Sequence, residues 1–239
     1  MNASTNDLCA WVHTQLESGP LISYPFKLDS LPENGIYFFY ENGETQNHAT
    51  SERPRIVRVG THKDGNFRSR IAEHFLLDER KMLFDAGKPA PHERSIFRKH
   101  IGRALLENDP YLEVWDRVFT IRKIQDSYGH LRDIRIEKEI ETEVTRILRD
   151  TFTFRYIEIP GQKDRMGGEG LERALIGTLA QCTCCTSSPG WLGRHSPKPK
   201  ISTGHLWLIQ HLKANPLTEQ QLRTILECGN DSVQNGPFA

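Results

Sequence analysis

The chain has 239 residues, of which 37% are hydrophobic and 26% charged, enough for one sizeable core with additions at its ends. No run of 18 apolar residues is present, which excludes a membrane-spanning helix, and the start Met1–Asp7 has neither the basic nor the apolar region of a signal peptide. Thirty-one basic residues balance 31 acidic ones, so a nucleic-acid partner would have to be held by a local basic face rather than by overall charge.

In chain order, residues 7–17 have the pattern of a short amphipathic helix, with Leu8, Trp11, Val12 and Leu16 on its core side and Ser18-Gly19-Pro20 ending it. Gly35-Ile36-Tyr37-Phe38-Phe39-Tyr40 is aromatic and β-branched, a strand entered from the turn Pro32-Glu33-Asn34. A polar stretch from Glu41 to Arg53, with Asn42-Gly43 as a turn, joins it to a second strand, Arg55–Thr61. That strand is apolar on both sides except at Arg58 and so has the character of an inner strand. After the loop His62–Asn66, with Asn66 as a helix cap, Phe67, Ile71 and Phe75 recur every four residues and predict a helix. Arg70 and His74 are likewise four apart and lie one turn above each other beside that stripe.

Lys81–Arg94 is loop-like, and Ser95–Leu106 predicts a helix with one basic and one apolar face. Tyr111–Ile124 fits strand and helix equally. Asp133–Arg149 is helical, with Ile136, Ile140, Val144 and Ile147 as its buried stripe and Glu137, Glu139, Glu141 and Glu143 on a solvated flank. Phe152–Ile159 alternates as a strand, and Gly167–Gly170 is a loop before a helix, Leu171–Ala180, with Glu172 in its first turn. Residues 182–200 are loop, Leu206–Leu212 is apolar enough to be a helix, and Thr218–Leu226 is a last helix before a fraying end.

These pieces carry a resemblance. Gly35-Ile36-Tyr37, then Arg58-Val59-Gly60, then Arg70 and His74 in an R-x-x-x-H spacing and a downstream Glu172 opening a helix, resemble a GIY-YIG endonuclease. Ser95-Ile96-Phe97-Arg98, Leu171-Glu172-Arg173, Gly190–Arg194 and Leu206-Trp207 resemble a restriction-like or uncharacterised branch of that family, over about residues 33–211. The resemblance implies an α/β (α+β) fold: a small central sheet flanked by helices, with a helical extension over 1–30, a nuclease domain over 31–212 and a C-terminal helix and tail over 213–239. It implies Mg²⁺-dependent (or Mn²⁺-dependent) hydrolysis of double-stranded DNA in a cytoplasmic restriction or defence role, with a homodimer on DNA left open.

It also implies roles. Tyr37 would activate or orient the water, although a free phenol ionises only at a pH of roughly 10, so cations such as Arg58 and Arg70 would have to assist. Arg70 would hold the scissile phosphate through its forked donors. His74 would hydrogen-bond Tyr37, the phosphate or the water, and Glu172 would be the single protein ligand of the metal. His62, Arg68, Arg98 and Arg194 are the candidate nucleic-acid contacts. Two departures stand out. The second motif tyrosine is Arg58, its part either dispensed with or taken by Arg58 or His62, and residues 182–200 hold no asparagine where many members have one. A degenerate nucleic-acid-binding module is the first alternative. A partner-binding protein using the acidic helix Asp133–Arg149 is the second.

Five cysteines, three of them in Cys182-x-Cys184-Cys185, do not make a disulfide framework and suit a reducing compartment. Cys182, Cys184, Cys185 and His195 suggest zinc, but a second C-x-x-C pair is missing, so ordinary loop thiols are expected.

Overall fold

The computed structural model describes residues 3–48, 53–78, 84 and 87–234, with side chains to residue 228. Helix α1 (Thr5–Glu17) starts at Ser4, whose hydroxyl accepts the Asp7 amide while Asp7 accepts the Ser4 amide. Strands β1 (Ile22–Ser23), β2 (Ile36–Gln46) and β3 (Arg53–Thr61) follow, then α2 (Phe67–Phe75), α3 (Pro91–Arg94) and α4 (Ile96–Leu105). Two short helices, α5 (Leu112–Trp115) and α6 (Arg122–Tyr128), resolve the ambiguous 111–124 stretch as helical. The long α7 (Ile134–Thr151) runs directly into β4 (Phe152–Ile157), and α8 (Gln162–Arg165), α9 (Leu171–Ala180), α10 (Pro199–Ser202) and α11 (Glu219–Gln234) complete the chain.

The four strands form one antiparallel sheet in the order β1-β4-β2-β3, so β3 is an edge strand, not the inner strand its apolar run suggests. Its exposure is relieved by the segment after α10, where the Trp207 amide donates to the Val57 carbonyl at 2.8 Å. That segment, 206–212, is irregular and not the predicted helix; its amides and carbonyls serve β3 and the Arg58 guanidinium instead of a helix ladder. β2 continues through Asn42-Gly43 to Gln46, Gly43 supplying a φ of 84°, so Asn42-Gly43 is not the expected turn. Parts of the expected 41–53 and 81–94 loops lie outside the described residues, and Pro91–Arg94 is helical.

Alternation along β2 splits the core in two. Ile36, Phe38 and Tyr40 face an aliphatic and cysteine-bearing layer that includes Cys9 and Val12 of α1, Leu175 and Leu179 of α9 and Ile225 of α11. Tyr37 and Phe39 face an aromatic layer with Phe67 and Phe75 of α2, Phe97 of α4 and Leu148 of α7. The register of β2 on β3 slips between Phe39, which pairs with Arg58, and Tyr40, which pairs with Ile56, and again between Tyr40 and Thr45. Val57 is the extra residue of the first bulge, and it places Val57 and Arg58 together on the aromatic side.

Half of the acidic flank of α7 is not solvated: Glu139 is exposed and Glu143 partly so, but Glu137 and Glu141 are buried. Glu141 is buried and ion-paired with Arg98 at 2.5 Å, and its other oxygen accepts the backbone amide of His92 at 2.6 Å and meets His92 Nδ1 at 2.9 Å. Glu137 is buried against Arg132 at 2.7 Å. Within the expected stripe Val144 and Ile147 are buried, while Ile136 and Ile140 are half-buried. Only Glu139 and Glu143 of the flank reach the surface, and Glu143 is paired with Arg146 at 2.6 Å.

Candidate active site

Tyr37 and Gly60 are cross-strand partners, and the phenol lies across the glycine so closely that a Cβ there would collide with its hydroxyl. This places Tyr37 Oη at the β3 edge while its ring stays buried against Phe39, Phe67 and His74. His74, one turn from Arg70 on α2, meets Tyr37 Oη through Nε2 at 3.0 Å and Ser95 Oγ through Nδ1 at 2.7 Å. Ser95 caps α4, and its hydroxyl also accepts the Arg98 amide. Burial first, then Arg70 and Arg58, hold the imidazole well below the usual histidine range. His74 is thus neutral, one ring nitrogen donating and the other accepting between Ser95 Oγ and Tyr37 Oη.

That pocket, about 360 Å³, lies at the β3 edge and is lined by Tyr37, Arg58, Arg70, Glu172, His100 and Thr61, with Leu208–His211 closing it. Arg58 reaches it from the bulge, stacked on Phe97 with its guanidinium carbon 4.8 Å from the ring centroid and one nitrogen on the Trp207 carbonyl. Its Nε has no protein acceptor, and burial lowers its pKa. Arg70 is anchored by the Arg94 carbonyl at 2.6 Å and Glu73 at 3.1 Å. Glu172 comes from the opposite layer at the start of α9, and its Oε1 accepts the Thr61 amide at 3.1 Å. Burial raises its pKa, against that hydrogen bond and the charges of Arg58 and Arg70.

The structure therefore brings Tyr37, Arg58, Arg70 and Glu172 to one cavity and puts His74 behind Tyr37, fully buried and out of reach of a phosphate. His62 is half-buried and feels the Arg70 charge. Arg68 is half-buried and tied to the Leu31 carbonyl, and exposed Arg194 bonds the Ser187 and Ser188 carbonyls. Arg98 corrects an expectation: it is wholly buried and its donors go to Glu141, Thr145 and the His74 carbonyl, so it holds α2, α4 and α7 together and cannot touch nucleic acid. Asn66 is the residue before α2, yet its side chain makes no cap bond and turns to the Asp64 carbonyl.

Sequence reasoning missed four contributors. Ser95 was legible only as a helix start. His100 is buried on the pocket wall, where Arg103 donates to its Nδ1 at 2.8 Å, and burial with Arg58 and Arg103 pushes its pKa to about 2. Its Nε2–H is left as a donor. Gln210 and His211 arrive on the irregular segment, His211 with a φ of 61°, a conformation costly for a non-glycine residue. Periodicity gives no sign of a segment whose backbone follows a neighbouring strand.

Sheet, layers and cleft define an α/β domain with a polar pocket where its two layers meet at a sheet edge. A family model described as a GIY-YIG domain matches residues 17–233, and the chain belongs to that family, whose class is nuclease and hydrolase. No curated protein and no solved structure matches it. Among the described residues no helix is long and apolar enough to cross a membrane.

Proposed function

We propose that the protein is a divalent-metal-dependent endonuclease cleaving double-stranded DNA, with Mg²⁺ or Mn²⁺ at Glu172. The observation that carries this reading is the charge bookkeeping of the buried arginines. Arg55 pairs with Glu44, Arg98 with Glu141, Arg103 with Asp116 and Arg165 with Asp64. Among the described residues Arg58 has no such carboxylate, although it is as buried as they are, and it faces the cavity beside Tyr37 and Arg70. An unpaired buried guanidinium is costly unless a ligand supplies the anion. A phosphodiester does.

Each group then has a part. Arg58 and Arg70 hold the phosphate oxygens and stabilise charge that grows as water attacks. With its proton on Nε2, His74 donates to Tyr37 Oη and steadies its phenolate, the phenol proton having passed to pocket water, and the phenolate takes a proton from the attacking water. His74 acts here as a positioning residue, set by Ser95. His100 adds an N–H toward the phosphate.

The donor set fits a magnesium ion: one carboxylate with an oxygen not used by Thr61, in a cavity with room for several waters. When bound, the metal would stabilise the departing 3′ oxygen. Loss of the second motif tyrosine is met by Arg58, which occupies its place as a phosphate-binding group rather than a proton carrier. The additions around the core and the later motifs favour a restriction or defence role, in the cytoplasm, with two copies on a symmetric site.

The test is cleavage of supercoiled plasmid with Mg²⁺, Mn²⁺ or EDTA by the wild type, Tyr37→Phe, Glu172→Gln and Arg58→Leu. Metal-dependent cutting lost in all three variants is expected. Salt-dependent binding without cutting by the wild type, in either metal, would make it a binding module. Cutting that survives Tyr37→Phe would overturn the role given to the phenol.

A further inference from the structure

On the face of the sheet opposite Tyr37, four metal-binding side chains from three parts of the chain converge. Cys9 lies on α1, His48 just after β2, and Cys182 and Cys185 on the turn after α9. One donor atom from each of the four lies within 4.8 Å of the others. Cys9 Sγ is 3.7 Å from Cys185 Sγ, and Cys182 Sγ is 3.3 Å from His48 Nε2. Zn–S bonds of about 2.3 Å and Zn–N bonds of about 2.0 Å set tetrahedral donors about 3.5–3.8 Å apart, close to both separations.

We infer that Cys9, His48, Cys182 and Cys185 bind one structural Zn²⁺ ion. The donor set is three sulfurs and one imidazole, a closed tetrahedral complement with no place kept for water. Binding converts three thiols to thiolates and releases their protons. The three cysteines are buried and His48 is half-buried, as a structural centre requires and a catalytic one does not. His13 stands next to the donors, its Nε2 3.6 Å from Cys185 Sγ, where an N–H can support a thiolate from outside the coordination sphere.

The ligand set differs from the one the local spacing suggests. His195 is exposed and pairs with Glu107, far from the thiols in its contacts, and Cys184 contributes only its amide, to Cys182 Sγ at 3.4 Å. The missing half of the site is supplied by Cys9 and His48, 173 and 134 positions before Cys182. Cys9 also lies before the matched span 17–233, so the centre draws a helix outside that span onto the body. It ties α1, the end of β2 and the end of α9 together.

The test is metal analysis of the full-length protein purified under reducing conditions without a metal-affinity step. One zinc per chain is expected in the wild type, in Cys184→Ser and in His195→Ala, falling at least tenfold in Cys9→Ser and His48→Ala. Replacement by Co²⁺ should give the intense d–d and sulfur-to-cobalt bands of a tetrahedral thiolate site, a readout on the wild type that stands even if a variant fails to fold. Zinc absent from the wild type, cobalt bands of an octahedral or thiolate-free site, or a stoichiometric Cys9–Cys185 disulfide in the reduced preparation would each overturn the proposal. So would zinc retained by both Cys9→Ser and His48→Ala.

Discussion

The two faces of the sheet solve different problems with the same strand. On one, Tyr37 and Phe39 sit among interlocking rings, with Phe97 5.1 Å and Phe154 5.7 Å from Phe39, and a buried ion-pair network behind them. On the other, Phe38 and Tyr40 meet aliphatic helices and a knot of thiols. The aromatic side holds polar groups at fixed angles: His74 is gripped by Ser95, Ser95 by the start of α4, and α4 by Arg98. The aliphatic side holds helices whose contacts have little direction, and that is where a metal clamp adds most. Rigidity comes from hydrogen bonds on one face and, with the proposed zinc bound, from coordination on the other.

The largest effect should come from cutting the network behind the aromatic layer. Arg98→Met leaves Glu141 buried without its charge partner and should cost about 3–5 kcal/mol in urea denaturation, with loss of cleavage. Although burial alone would raise its pKa, Arg98 and His92 hold the Glu141 carboxyl below its usual range. Its contribution is thus present above the unfolded carboxylate pKa and lost as pH falls through the lower folded value. The Arg98→Met protein should not show that acid-side loss.

Gly60→Ala tests geometry on the same face. The added methyl takes the space of the Tyr37 hydroxyl, so cleavage should fall by about 10²-fold or more. Zinc content, set on the other face, should stay at one per chain. A joint loss of both would show that the two layers fail together.

A smaller effect concerns Glu172. Its raised pKa means the carboxylate begins to protonate above the usual carboxylate range, so metal affinity should weaken by up to about tenfold per pH unit on acidification below that value. Titration of Mn²⁺ binding by calorimetry from pH 8 to pH 5 would show it. Glu172→Gln should remove the pH dependence along with the affinity.

The smallest concerns Glu41, whose Oε2 accepts both indole N–H groups, of Trp191 and Trp207, each at 2.8 Å. Burial pushes its pKa to about 7. A raised carboxyl pKa stabilises the fold least at high pH, the loss running from the unfolded value up through about 7. Glu41→Gln, which keeps an acceptor for both indoles, should gain about 1 kcal/mol at pH 8 and nothing at pH 4. Tryptophan fluorescence of the wild type should titrate near the same pH, and that of the variant should not.

Much of the fold was legible because period and turn chemistry agree locally. The strands around Tyr37 and Arg58, the α2 stripe and the starts of α4, α7 and α9 all follow from such patterns. Where reasoning failed, a distant partner decided. Arg98 looks like a surface cation until Glu141 is found 43 positions later, and Glu137 and Glu141 look solvated until their arginines are placed. The apolar run Leu206–Leu212 looks helical until the open edge of β3 claims the Trp207 amide. The pocket residues on β2 and α2 stand in one short stretch and could be named together. His100, Gln210 and His211 reach the pocket only through tertiary contacts, and no spacing announces them.

Glu172 reaches the pocket from the far layer, about a hundred residues after Arg70, and the closing segment 206–211 comes later still. During synthesis the phenol, both arginines and the buried histidine leave the ribosome well before either. A nascent chain that ends short of α9 therefore carries no carboxylate for the metal and no cover for the β3 edge. On the proposed function, competence to cut therefore waits until α9 and the segment that covers β3 have been made.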